Sequence, residues 1–429
     1  MSRNSCVFST LLSVSIVIVM ANVSPAAAPD WAQFHGPNRD AKCIETGLMQ
    51  KWPEGGPELL WKLEGLGKGY STVAIAGGKI FTMGDRELGG AEKQCVMAYD
   101  LNTRKELWST PIGPPHSDGP RCTPTVDGDL LYVIGTSGDL ACVETATGKI
   151  VWRKNFPKDF GGKMMSMWKF SESPLVDGEK LVCTPGGNDA MFVALDKKTG
   201  ELIWKSALPD IGRRGKDGAA YSSMIVAEID GVRQYIQIIG RGAVGIRASD
   251  GKFLWGYNRI ANGTASIPTP VARGNHVFVT TSYKTGCALL KLTRDGDSMK
   301  VDEVYFLTHK DFENHHGGVI LVGDHIYGGD GQNNGTPVCL EFLTGKIAWK
   351  PKAPAGGSTA VLYADGNFIF RYDKGPVFLV EATPEAFKIK GKLEPPKGGG
   401  PAWPHPVIHD GKLYLRHKDI LLCYDIRAK

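Results

Sequence analysis

The chain has nine cysteines but no CxxC, no CxxCH and no two adjacent cysteines. These absences exclude a zinc ribbon and covalent haem. It has no run of Lys or Arg, and a net charge of +5 over 429 residues gives nucleic acid nothing to hold. After the N-terminus no apolar run is long enough to span a membrane, so no transmembrane segment is expected in the mature chain. Helical periodicity is missing as well. Turn chemistry is plentiful: 54 Gly and 26 Pro suit a chain of many short strands.

The opening "MSRNSCVFSTLLSVSIVIVMANVSPAAAPDW" reads as a cleavable export signal, with Arg3, an apolar core from Val14 to Met20 and small residues at Ala26 to Ala28. Residues 1–28 are therefore expected to be a signal peptide, and the protein to be periplasmic or extracellular.

One phrase recurs through the rest. "AYDLNTRKELW" ends at Trp108, "CVETATGKIVW" at Trp152, "ALDKKTGELIW" at Trp204, "GIRASDGKFLW" at Trp255 and "CLEFLTGKIAW" at Trp349, after an earlier "ELLW" ending at Trp61. The gaps are 47, 44, 52, 51 and 94 residues, and a worn copy ending at Tyr305 divides the last gap. Upstream of each copy lies a hairpin with an Asp-Gly-type turn, as in "TPTVDGDLLYV" and "HPVIHDGKLYL". Four short strands in about 45 residues make one propeller blade. The C-terminal tail supplies only three strands, and "ELLWKL" at Glu58–Leu63 supplies the missing fourth. The expected fold is all-β: an eight-bladed propeller of four-stranded antiparallel blades over residues 58–429. The N-terminal strand closes it by joining the C-terminal blade. Residues 29–57 form a leading segment, expected to lie over the ring, which should be monomeric.

Cys142, Cys339 and Cys423 stand where Ala98 and Ala194 stand in other copies, so they read as buried thiols on non-adjacent blades. Cys43, Cys95, Cys122, Cys183 and Cys287 leave room for a disulfide in an oxidising compartment.

The A-x-D-x-x-T-G-x-x-x-W phrase resembles the tryptophan-docking motif of pyrroloquinoline quinone (PQQ)-type propeller repeats. These occur in quinoprotein alcohol dehydrogenases and in the propeller lipoprotein of the bacterial outer-membrane barrel-assembly machinery. "WAQFHGPNRD", Trp31–Asp40, is similar to the opening of exported bacterial proteins with this repeat. The resemblance implies the eight-bladed ring and leaves function open between a binding scaffold and an enzyme.

Ligands of propellers sit where inter-blade loops and the loops between second and third strands surround the channel. On that face Arg121, Lys169, Arg213, Arg214, Arg241 and Arg416 give a basic bias, and Trp168, Tyr221 and Trp403 offer aromatic surfaces. "ENHHGG" brings His315 and His316. Consecutive imidazoles rarely converge, so one is expected to bond backbone at the channel mouth and the other to be solvated, with metal binding as the alternative. "GGDGQNNGT", with Asp330 and Asn333, has oxygens for calcium but not EF-hand spacing, and a polar loop is the other reading. The inventory suits an exported non-catalytic propeller holding a protein, glycan or anionic ligand, with no catalytic residue, metal or cofactor assigned. The alternative is a PQQ- and calcium-dependent dehydrogenase oxidising alcohols or sugars. Against it, the chain lacks an adjacent-cysteine disulfide and the long insertions of such enzymes.

Overall fold

The computed structural model describes Met1, residues 29–396 and residues 398–429, so the expected signal peptide lies outside the described residues. Eight sheets follow one another around a ring. Blades 1 to 7 span Ala74–Gly113, Thr125–Asn155, Leu175–Ser206, Ile225–Tyr257, Val271–Thr308, Val319–Trp349 and Thr359–Leu393. Blade 8 takes its three inner strands from Val407–Asp425 and its outer strand from Glu58–Leu63, antiparallel, with Trp61 opposite Cys423. The chain thus closes its ring by joining its two ends.

The recurring phrase has a physical meaning. Its first residue lies directly across from the Trp: Ala98 from Trp108, Cys142 from Trp152, Ala194 from Trp204 and Cys339 from Trp349. A larger side chain there would push the indole off the sheet. The acidic residue closes the turn. Asp100 accepts the N–H groups of Asn102 and Thr103, and Asp196 those of Lys198 and Thr199. The glycine serves the preceding blade. A Cβ on Gly148, Gly200 or Gly251 would stand 2.4–2.7 Å from the ring of Trp108, Trp152 or Trp204, and all three have φ near +74°. The indole then donates onward, from Trp108 Nε1 to the Thr145 carbonyl (3.1 Å), from Trp152 to Lys197 (3.1 Å) and from Trp349 to Thr383 (3.0 Å). The worn copy keeps the joint, since Tyr305 lies over Gly345 and its hydroxyl donates to the Phe342 carbonyl at 2.9 Å. Trp255 departs from the pattern. Blade 5 has a long outer hairpin in place of the Thr-Gly turn, and Trp255 Nε1 donates to Gln234 of its own blade.

The seam between blades 7, 8 and 1 is built differently. Buried Arg371 of blade 7 donates to the Pro404 carbonyl (2.6 Å) and the Arg416 carbonyl. Arg416 of blade 8, wholly buried, donates to the Ser71 carbonyl (2.9 Å), Thr82 Oγ1 (2.6 Å) and the Met83 carbonyl of blade 1. Arg416 was expected on the loop face. It sits instead inside the wall, where it satisfies backbone carbonyls, and burial lowers its pKa to about 10. Blade 7 has no docking Trp of its own. Trp52 from the leading segment lies over Gly391 and joins a core with Leu393 and Tyr424.

All eight described cysteines are buried free thiols, which leaves no disulfide among them. No helix among the described residues is long and apolar enough to cross a membrane.

Candidate functional site

The leading segment does more than lie over the ring. Trp31 bridges to Ile75, Val126 N–H donates to the Ala32 carbonyl, and Lys42–Cys43 pair in parallel with Tyr363–Ala364 of blade 7. Between these anchors a tight turn enters the channel, with His35, Gly36 and Arg39 at positive φ. Arg39, 4% exposed, donates to the backbone carbonyls of Met224 (2.9 Å), Pro174 (3.1 Å) and Ser173 (2.8 Å). Three carbonyls from two blades hold this cation, and burial lowers its pKa to about 10. The segment stoppers the channel at the Asp-Gly-turn end, and Phe34 and His35 become the floor of a cavity open at the other end.

That cavity has a volume of about 370 Å³. Its wall follows from the repeat. The residue six positions before the end of each inner strand, or eight on the longer strand of blade 4, is Tyr70, Arg121, Ser171, Tyr221, Ile267, His316, Ser358 and Trp403 in blade order. All but Ser358 line the cavity. Two residues further in, a second ring carries hydroxyls on blades 1 to 5 (Thr72, Thr123, Ser173, Ser223 and Thr269) and His405 on blade 8. The lower ring also links blades, since Ser173 Oγ accepts Thr123 N–H at 2.9 Å and Ser223 Oγ accepts Ser173 N–H at 3.0 Å.

The mouth is an aromatic collar. Ring centroids are 5.2 Å apart for Tyr283–His315, 3.8 Å for His315–His316, 4.9 Å for His316–Trp403 and 4.5 Å for Trp403–Tyr70. Tyr70 meets the Arg121 guanidinium at 6.0 Å, Arg121 donates to the Trp168 carbonyl (3.0 Å), and Trp168 meets Tyr221 at 6.0 Å. Arg121 is the Lys or Arg that lines the cavity, paired with Asp118 at 2.8 Å; Lys418 lies 4.8 Å from the Tyr70 ring without lining it. Burial lowers the pKa of Arg121, yet it stays charged at neutral pH.

The histidines are neutral. His315 Nε2 meets the Tyr283 hydroxyl (2.9 Å) and Nδ1 the Ser358 hydroxyl (3.1 Å), and burial lowers its pKa to about 4. His405 Nε2 lies 3.1 Å from the His316 carbonyl, so it carries the proton, and His405 Nδ1 then accepts from His35 Nε2 at 3.1 Å. Burial takes His405 to about 4 and holds His35 and His316 well below the usual range. The expectation for the His pair changes on two points. His315 bonds hydroxyls, not backbone, and the two rings stack because Trp403 and Tyr283 flank them. Among the described residues no three His, Cys, Asp or Glu converge as a metal site.

Arg121, Trp168, Tyr221, His315, His316, Asn333 and Trp403 thus come together around one cavity. Six others do not line it. Lys169 is exposed on the rim. Arg241 is tied to Asp217 at 2.6 Å, and Arg213 and Arg214 are exposed beside it. The Asp330 carboxylate is taken by Lys350 (2.8 Å) and by Glu313 N–H (2.8 Å), so it is not a free calcium ligand. Arg416 is in the seam. Sequence reasoning missed Phe34, His35, Tyr70, Tyr283 and His405. A column aligned on the Asp-Gly turns finds Tyr70 and His405. The sequence marks Trp31–Asp40 as a segment over the ring but not as a stopper.

The donor set does not fit a PQQ–calcium centre. No Asp or Glu lines the cavity to clamp a divalent ion or take a proton from an alcohol, and none of the cysteines are neighbours in sequence.

The family described as outer membrane protein assembly factor BamB matches residues 92–378, more than half of the sequence. The chain belongs to that family. A BamB of Kangiella koreensis is 24% identical over 227 residues, 50% of this chain and 49% of its own length. An uncharacterized protein of Rickettsia prowazekii is 24% identical over 278 residues, 62% of this chain and 60% of its own. The match thus spans about half to three-fifths of these relatives. Among solved structures, BamB from Moraxella catarrhalis has a TM-score of 0.62 at 11% identity, covering 86% of this chain and 99% of that one. The quinohemoprotein alcohol dehydrogenase of Comamonas testosteroni has a TM-score of 0.64 at 13% identity, covering 94% and 81%. At such identities the likeness shows the shared PQQ-like ring and nothing of the chemistry.

Proposed function

We propose that this BamB-type propeller is an exported, non-catalytic binding protein whose stoppered channel holds an anionic ligand. One observation carries the reading: aromatic rings and one guanidinium, that of Arg121, line the cavity, and no carboxylate does. Flat rings supply contact area at little entropy cost, and a guanidinium on a wall that carries no carboxylate favours negative charge. The wall offers no carboxylate as a general base, and two of its imidazoles, His35 and His405, are hydrogen-bonded to each other. Kinship with an envelope assembly factor supports a place outside the cytoplasm and a scaffold role for the surrounding loop face.

Native mass spectrometry of the full protein from its host envelope tests the reading. A small-molecule adduct is expected, and Trp403→Ala should lose it while keeping its melting temperature. Dye-linked oxidation of alcohols or sugars above the blank, after loading with PQQ and Ca²⁺, would overturn it.

A further inference from the structure

We propose that the ligand is an acidic saccharide, a uronic-acid-type ring whose carboxylate meets Arg121. This rests on the binding reading above and names the class of ligand. Three features of the cavity converge on it.

The first is shape. A pyranose presents C–H bonds on its faces, and these carry slight positive charge that suits the negative face of an aromatic ring. Trp403 and Trp168, both only half-buried, line the cavity with such rings. At about 370 Å³ the cavity is at the small end of ligand sites, which run from ~300 to ~1,000 Å³.

The second is the direction of the polar groups. An aromatic carboxylate needs polar partners at one end only. Here they line the cavity at three levels: Gln332 at the rim, Arg121 and His316 in the collar, and Thr123, Ser173, Ser223 and Thr269 at the base. Ser173 and Ser223 use their oxygens to accept backbone N–H groups, which leaves their O–H bonds as donors. A ring bearing hydroxyls around its equator matches that distribution.

The third is charge. Among the described residues Arg121 is the one Lys, Arg, Asp or Glu that lines the cavity; Asp118 takes one of its Nη2 protons and the Trp168 carbonyl one of its Nη1 protons, which leaves one proton on each for a ligand carboxylate.

Calorimetry on the full mature chain tests the proposal with digalacturonate, neutral cellobiose and benzoate as probes. Digalacturonate should bind at least about tenfold tighter than cellobiose, the worth of one charge-assisted pairing. Arg121→Gln should bring the two within about threefold, and Thr269→Val should weaken both alike. Should Arg121→Gln fail to fold, added NaCl on the native protein must shrink the acid preference. Equal affinity for both disaccharides, or a preference indifferent to salt, overturns the role of Arg121. Heat with benzoate alone, or with none of the three, overturns the saccharide class. The envelope adduct then decides separately whether the cavity binds anything.

Discussion

The outer belt and the inner collar are made from the same eight repeats, yet they use repetition in opposite ways. In the belt one joint recurs: Trp108, Trp152 and Tyr305 each lie over the next blade's glycine and donate to that blade's carbonyl, while Trp204 keeps the glycine contact and Trp349 the hydrogen bond. In the collar the equivalent position is Tyr, Arg, Ser, Tyr, Ile, His, Ser and Trp in turn. A surface that only holds blades together can be copied, but one that recognises an asymmetric ligand cannot. Belt changes should therefore move stability and leave binding alone, and collar changes should do the reverse.

The largest effect should come from Gly200→Val. Its Cβ would stand 2.7 Å from the Trp152 ring at a φ of +73°, so both overlap and backbone strain oppose it. A loss of about 3 kcal/mol or more is expected in denaturant titration. Affinity in the cavity should be unchanged in whatever folds. If Gly200→Val lowered affinity at unchanged stability, belt and collar would not be separable.

Arg39→Ala comes next, and it probes the point where belt and collar meet. It strands three buried carbonyls and should cost about 2–3 kcal/mol in the same titration. It should also weaken ligand binding by loosening the Phe34–His35 floor. An unchanged midpoint would show that the stopper is not held by this residue.

Acid should reach stability through the buried histidines of the collar, the exception to that division. His315 and His405 have folded pKa values of about 4, below an unfolded value of ~6.5. Between those values the unfolded chain binds more protons, so their contribution is complete above pH ~6.5 and lost as pH falls toward 4. Melting temperature should drop through that window, and His405→Gln should flatten the drop. Asp425, held at about 2 by Arg427, acts in a lower window and cannot imitate this. A melting profile flat from pH 7 to 4.5 would contradict neutral burial of the collar histidines.

The smallest effect belongs to Tyr305→Phe. It removes one hydroxyl bond from the worn joint and should cost about 1 kcal/mol with binding intact.

The belt was legible in the sequence because its physics is local and repeated. Asp, Gly and Trp at fixed offsets declare a turn, a positive φ and a docking ring, and "ELLW" declares the closing strand. The collar was legible in part. Trp168, Tyr221, Trp403 and the His pair are conspicuous letters in the right loops, whereas Tyr70 looks like any strand residue until it is aligned with its seven equivalents. Arg416 and Asp330 misled because a charged letter in a loop-face stretch reads as exposed. Arg416 spends its guanidinium on backbone carbonyls and Asp330 its carboxylate on Lys350. The stopper was illegible because it rests on contacts between residues far apart in sequence, such as Arg39 with Met224.

The stoppered floor has a consequence for traffic. With Phe34 and His35 closing the far end, the pore is a vessel with one doorway and not a conduit, so whatever enters must leave by the same opening. A second macromolecule seated across that rim would act as a lid, and the occupant's dwell time would be set by the lid's departure, however weak the contacts beneath.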